Sequence, residues 1–162
     1  MSDHSQSHAT EFHNPLRRAL LVTMLAMPIS AIAQSATTID VWKTPECGCC
    51  KDWIKHLQSN GFQVVAHDVG DTSEMRRKLS MPEQYGSCHS GSVNGYALEG
   101  HVPAKEIRRL LRERPAAVGL SVPAMPLGAP GMDGPEYQGR SFPYEVLLVG
   151  KNGKTSVYQA YK

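Results

Sequence analysis

The stretch from Thr44 to Trp53, TPECGCCKDW, places Cys47, Cys49 and Cys50, three of the chain's four cysteines, within four consecutive positions. What flanks it decides the fold. Upstream, residues 37–42 (TTIDVW) are β-branched and alternating, the pattern of a strand. Downstream, residues 51–60 (KDWIKHLQSN) set Trp53, Ile54 and Leu57 at helical spacing, with Gly61 where a helix ends on positive φ. Residues 62–69 (FQVVAHDV) read as a second strand. The segment is therefore a βαβ unit, which predicts parallel pairing and a cysteine loop at the start of the helix.

That position gives the sulfurs three readings. Unpaired N–H groups and the positive end of the helix dipole favour thiolate over thiol, and Lys43 and Lys51 on either side push the same way. Cys47 and Cys50 form a C-x-x-C pair suited to redox exchange. Cys49 departs from that simple pattern, because a third thiolate inside the pair invites competing bridges and suits a soft metal better. A purely structural disulfide is the weakest reading, since closing a loop of a few residues removes little entropy from the unfolded chain.

The compartment permits all three. Arg17 and Arg18 precede an apolar run of about 14 residues, too short to anchor as a spanning helix, and Ala31-Ile32-Ala33 supplies a small-x-small cleavage pattern. Residues 1–33 are thus expected to be an export signal that is removed, leaving residues 34–162 in the periplasm with no stable membrane span and without His4, His8 and His13. The paired arginines are compatible with twin-arginine export and do not choose between routes. Outside the cytoplasm disulfides persist. A chain of 162 residues with a net charge of +2 and no Lys/Arg block fits one compact domain and excludes nucleic acid as a partner.

Past the βαβ unit, Asp71 and Glu74 have capping-box spacing and open a short helix through Leu79, which Met81-Pro82 ends. Residues 85–100 (YGSCHSGSVNGYALEG) read as a loop and a small hairpin turned at Asn94-Gly95. Pro103 suits the first position of a helix over PAKEIRRLLRER, with Ile107, Leu110 and Leu111 on its apolar face, and Pro115 stops it. Residues 119–144 read as an irregular loop carrying Pro123, Pro126, Pro130, Pro135 and Pro143. Residues 144–149 and 155–161 close the chain as a hairpin across residues 151–154.

Other donors narrow the metal. Cys88-His89 precedes the hairpin, His101 follows it, and Met125 and Met132 stand in the proline-rich loop. Thiolate, imidazole and thioether together favour Cu(I), whereas Zn(II) seldom takes thioether. The metal set is then Cys47, Cys49, Cys50, Cys88, His101, Met125 and Met132, while His56 and His67 lie inside a helix and a strand and read as structural. Cysteine spacing alone allows one metal ion or several.

The motifs TPECGCCKDW, SCHSGSVNGYALEGHVPAKEIRRLL, RPAAVGLSVPAMPLGAPGM and YEVLLVGKNGKTSVYQAY resemble the CopG-type periplasmic copper-resistance proteins across essentially the whole chain after residue 33. The resemblance implies an α/β thioredoxin-like fold with a central mixed sheet, flanking helices and a C-terminal β-hairpin. It also implies a multinuclear, cysteine-bridged copper cluster on Cys47, Cys49, Cys50 and Cys88, and a role in Cu(I)/Cu(II) interconversion during copper resistance. Copper efflux or redox proteins would be the partners. Cys47 and Cys50 would be the catalytic pair of a copper oxidoreductase; a thioredoxin-type thiol–disulfide oxidoreductase, a passive copper chaperone or a structural Zn site are the alternatives. Val122-Pro123 is expected to supply the cis-proline that thioredoxin-like folds place beside the active loop.

Overall fold

The computed structural model describes residues 36–162; residues 1–33, the expected export signal, lie outside them. The βαβ reading holds. Strand β1 (Thr38–Lys43) leads through the cysteine loop into helix α1 (Gly48–Ser59), and β2 (Gln63–Asp68) pairs parallel to β1. Helix α2 (Ser73–Lys78) follows, then the hairpin of β3 (His89–Val93) and β4 (Tyr96–Glu99). Its turn residues Asn94 and Gly95 both take positive φ, as a type I′ turn requires.

Helix α3 (Ala104–Glu113) crosses over to β5 (Ala117–Ser121), which lies parallel to β4. Strands β6 (Tyr144–Gly150) and β7 (Thr155–Tyr161) complete a seven-stranded mixed sheet of order β2-β1-β3-β4-β5-β6-β7. The portion β1-α1-β2-α2-β3-β4-α3 over strands ordered β2-β1-β3-β4 is the thioredoxin-like arrangement. Ile39 and Val41 of β1, Trp53 and Leu57 of α1, and Ile107 and Leu110 of α3 share one core with Leu98 and Leu120. On the sheet's other face Ala97 and Val149 pack with Met81, with Leu79 against them.

Three details depart from the sequence reading. Residues 117–121 are a buried strand rather than the head of an irregular loop. Gly119 is there because a Cβ would strike the backbone of Ala97, its partner on β4. The capping box is not formed: Asp71 accepts from the Ser73 backbone at 3.0 Å, and Glu74 pairs with Lys78 instead of reaching back. No cis peptide bond occurs among the described residues, so Val122-Pro123 is trans. Cys88 stands in the segment entering β3, beside the cysteine loop.

Candidate metal centre

Helix α1 begins three residues earlier than its apolar spacing predicts. Cys47 is therefore its N-cap, and Cys49 and Cys50 stand in its first turn, where backbone N–H groups lack intrahelical partners. Cys50 is fully buried, whereas Cys47 and Cys49 are partly exposed. Lys43 does not serve the thiols as expected. It is buried and spends its ammonium on Asp68 and on the Thr44 carbonyl.

Cys88 arrives from the opposite wall, held by a buried charge network. Arg76 of α2 donates Nε to Glu99 Oε1 at 2.9 Å and Nη2 to the Ser87 carbonyl at 2.9 Å. Glu99 also accepts from the Ser87 backbone at 2.7 Å and from Ser90 Oγ at 2.6 Å. Arg76 and Glu99 thus grip both flanks of Cys88 and aim its sulfur at α1.

The four Sγ atoms all lie within 4.8 Å of one another. Cys49 Sγ is 3.6 Å from Cys47 Sγ and 3.9 Å from Cys88 Sγ. Cys47 and Cys50 are joined as a disulfide, while Cys49 and Cys88 are free thiols. Burial first, and then the neighbouring Cys49, push the Cys88 thiol up to about 12. A thiol so placed releases its proton to solvent chiefly when an arriving cation takes its place on the sulfur.

Cys88 also belongs to a second donor group with His89 and His101, whose ligand atoms again fall within 4.8 Å. Both rings are fully buried. His101 Nε2 stands 3.2 Å and His89 Nδ1 3.3 Å from Cys88 Sγ. His89 Nε2 has no hydrogen-bond partner, and its ring packs 4.3 Å from that of Trp53. Burial holds both imidazoles below their ordinary range, His89 well below with His101 adding to the effect. Neutral imidazole is the ligand form.

His89 is the residue that sequence reading left out of the metal set. The sequence reading sets Cys88 and His89 in the loop before the hairpin and carries only Cys88 into the metal set. Cys88 in fact precedes the strand in a bend, which frees its side chain to meet that of His89. The remaining candidates, Met125 and Met132, lie in the proline-rich loop, which joins the Cys88 segment where the Ala124 carbonyl accepts from the Ser87 hydroxyl. Met132 is buried and its Sδ accepts from the Tyr137 hydroxyl at 3.4 Å, whereas Met125 is 49% exposed. Gly131, at φ +82°, lets this loop lie against the Cys49 carbonyl and the Trp53 backbone.

His56 and His67 take structural roles. His56 Nε2 accepts the N–H of Ala104 at 3.1 Å, capping α3 from α1. His67 Nε2 pairs with Asp40 at 2.8 Å and its ring stacks on Trp42.

Fold and site together define a thioredoxin-like α/β protein with a cysteine cluster able to bind metal. The family described as "Protein of unknown function, DUF411" matches residues 85–132, the segment that contains Cys88, His89, His101, Met125 and Met132. A solved structure titled "Copper resistance protein copG- Form 2" is 45% identical to the chain at a TM-score of 0.72, covering 78% of this chain and 99% of that one. Its companion, "Copper resistance protein copG- Form 1", is likewise 45% identical at a TM-score of 0.71, covering 78% and 98%. No curated protein matches. The chain belongs to the CopG family of copper resistance proteins.

Proposed function

We propose that this protein binds copper in the periplasm, after removal of residues 1–33, and acts in copper resistance by holding Cu(I) or Cu(II) in a cysteine-bridged cluster. The observation that carries the reading is the convergence of four sulfurs with two buried imidazoles on Cys88. The donors suit the cargo: thiolate and imidazole select Cu(I), and a thiolate with spare lone pairs can bridge two ions. His89 Nε2 is a buried polar atom without a partner, and the ring's other nitrogen, Nδ1, stands 3.3 Å from a thiol whose proton is hard to remove without a cation.

Cys47, Cys49, Cys50 and Cys88 would supply the bridging sulfurs, with His101 and His89 as terminal nitrogen donors. Met132 and Met125 are the thioether donors of the overlying loop, Met132 the more enclosed. The protein's part is to converge the donors, fix the imidazole tautomer and keep water out. Copper efflux or redox proteins are the partners this reading requires.

An anaerobic Cu(I) titration of the reduced protein against a competing chelator tests the reading. More than one copper bound per chain is the expected result; one ion or none, with cysteines still cycling through a disulfide, would move the assignment to thiol exchange. The Cys47–Cys50 disulfide at the start of α1 favours that second reading. Thiol exchange leaves Cys49, Cys88 and the histidine pair without a task.

A further inference from the structure

We propose that Tyr137 is a positioning residue of the metal centre: its hydroxyl pins the Met132 sulfur and makes Met132, more than Met125, the thioether that retains Cu(I). The inference rests on the copper-binding reading above and adds to it the residue that readies one of its donors.

A methionine is a weak donor until its sulfur is held. The side chain turns about three bonds, and every conformation that points the sulfur elsewhere lowers the affinity of the donor set. The loop over α1 removes that freedom in two stages. The Met132 backbone is fixed at both polar groups, its N–H donating to the Ala129 carbonyl at 2.7 Å and its carbonyl accepting from the Gly128 N–H at 2.9 Å. Gly131 seats against the Cys49 carbonyl and the Trp53 backbone, and Met132 beside it is 7% exposed. The Tyr137 hydroxyl then donates to Met132 Sδ at 3.4 Å and fixes the sulfur itself.

Tyr137 is delivered by a single 3-10 turn, Pro135–Tyr137, in which its N–H donates to the Gly134 carbonyl at 3.0 Å. Burial first, and then the neighbouring Cys49, with Glu136, Asp52 and Cys88 adding to it, push the half-buried phenol above its ordinary value. The hydroxyl keeps its proton for the sulfur, and it stands near enough to both free thiols to feel their charge.

A thioether sulfur carries two lone pairs. The hydrogen bond takes one and leaves the other for Cu(I), so Tyr137 acts on the metal only through Met132. Met125 lies outside the Gly128–Met132 turn and is 49% exposed.

The test strips copper from Cu(I)-loaded, reduced protein with a competing chelator under argon and reads the chelator concentration at which half of the copper leaves. Tyr137→Phe keeps the ring and deletes the hydroxyl, and a thermal melt checks that the fold stands. This variant should release copper at a roughly 3- to 10-fold lower chelator concentration, the range of one hydrogen bond. Met132→Leu should release it at least as readily, and adding Tyr137→Phe to Met132→Leu should lose nothing further. A merely structural Tyr137 would give the same loss in both backgrounds and overturn the proposal, as would wild-type retention in either single variant. Isotope-labelled methionine methyl groups read the same point directly. On Cu(I) binding the Met132 signal should shift further than that of Met125; the reverse order would also overturn the proposal. Wild-type protein that binds no Cu(I) loses the copper-binding reading itself, whereas Cu(I) held at full strength by Tyr137→Phe keeps that reading and loses only this inference.

Discussion

His101 faces Cys88 with the nitrogen that carries its lone pair. Its Nδ1 lies 2.9 Å from the Pro130 carbonyl, which can only accept, so Nδ1 bears the hydrogen and Nε2, 3.2 Å from Cys88 Sγ, is free to bind. This tautomer is set by the proline-rich loop. His101→Gln and His89→Gln are each expected to weaken Cu(I) binding roughly 10- to 100-fold in chelator competition. Unchanged affinity in both would remove the imidazoles from the site.

Gly131 controls the same arrangement from a distance. A Cβ there would lie 2.6 Å from the Trp53 backbone nitrogen and 2.7 Å from the Cys49 carbonyl, at a φ of +82° that disfavours any side chain. Gly131→Ala should cost about 1–3 kcal/mol and shift the Pro130 carbonyl off His101. The measurement is a thermal melt paired with a Cu(I) titration; lowered stability with unaltered affinity would mean that the loop does not orient the ring.

Arg76 is 7% exposed and neutralises Glu99, which is 1% exposed. Arg76→Met strands that carboxylate and should destabilise the fold by about 3–5 kcal/mol, a drop in Tm on the order of 10 °C. The double variant Arg76→Met/Glu99→Leu should recover part of the stability. It should not recover copper affinity, because the Ser87 and Ser90 contacts that aim Cys88 are gone.

His56 makes folding pH-dependent. Burial holds its imidazole below the ordinary 6.5, so the folded state binds fewer protons than the unfolded chain. Its contribution is complete above the unfolded value and fades as pH falls through 6.5 toward the lower folded value. Protonation would also remove the acceptor for Ala104 N–H. The wild type should therefore lose more Tm than His56→Gln between about pH 7.5 and pH 5.5. Equal losses would detach His56 from the acid response; His89 and His101, common to both proteins, cancel in the comparison.

Export predicts a mature chain beginning at Gln34. The intact mass of protein recovered from the periplasm checks this directly, and a retained residue 1–33 segment would replace the cleaved signal with a membrane anchor.

Local pattern carried much of this protein. The β-branched alternation at residues 37–42, the helical spacing of Trp53, Ile54 and Leu57, and the Asn94-Gly95 turn depend on neighbours along the chain and were readable as such. So was the chemistry of three sulfurs at a helix start. Elements defined by contacts distant in sequence were not. Gly119 falls at the head of a proline- and glycine-rich run that reads as loop until Ala97 lies against it, and His89 is one loop histidine among others until Cys88 and His101 meet it. The His101 tautomer likewise depends on which groups meet across the fold. Residue types state what chemistry is available; packing between separate segments selects which atoms perform it, because distance and burial are properties of the folded chain alone.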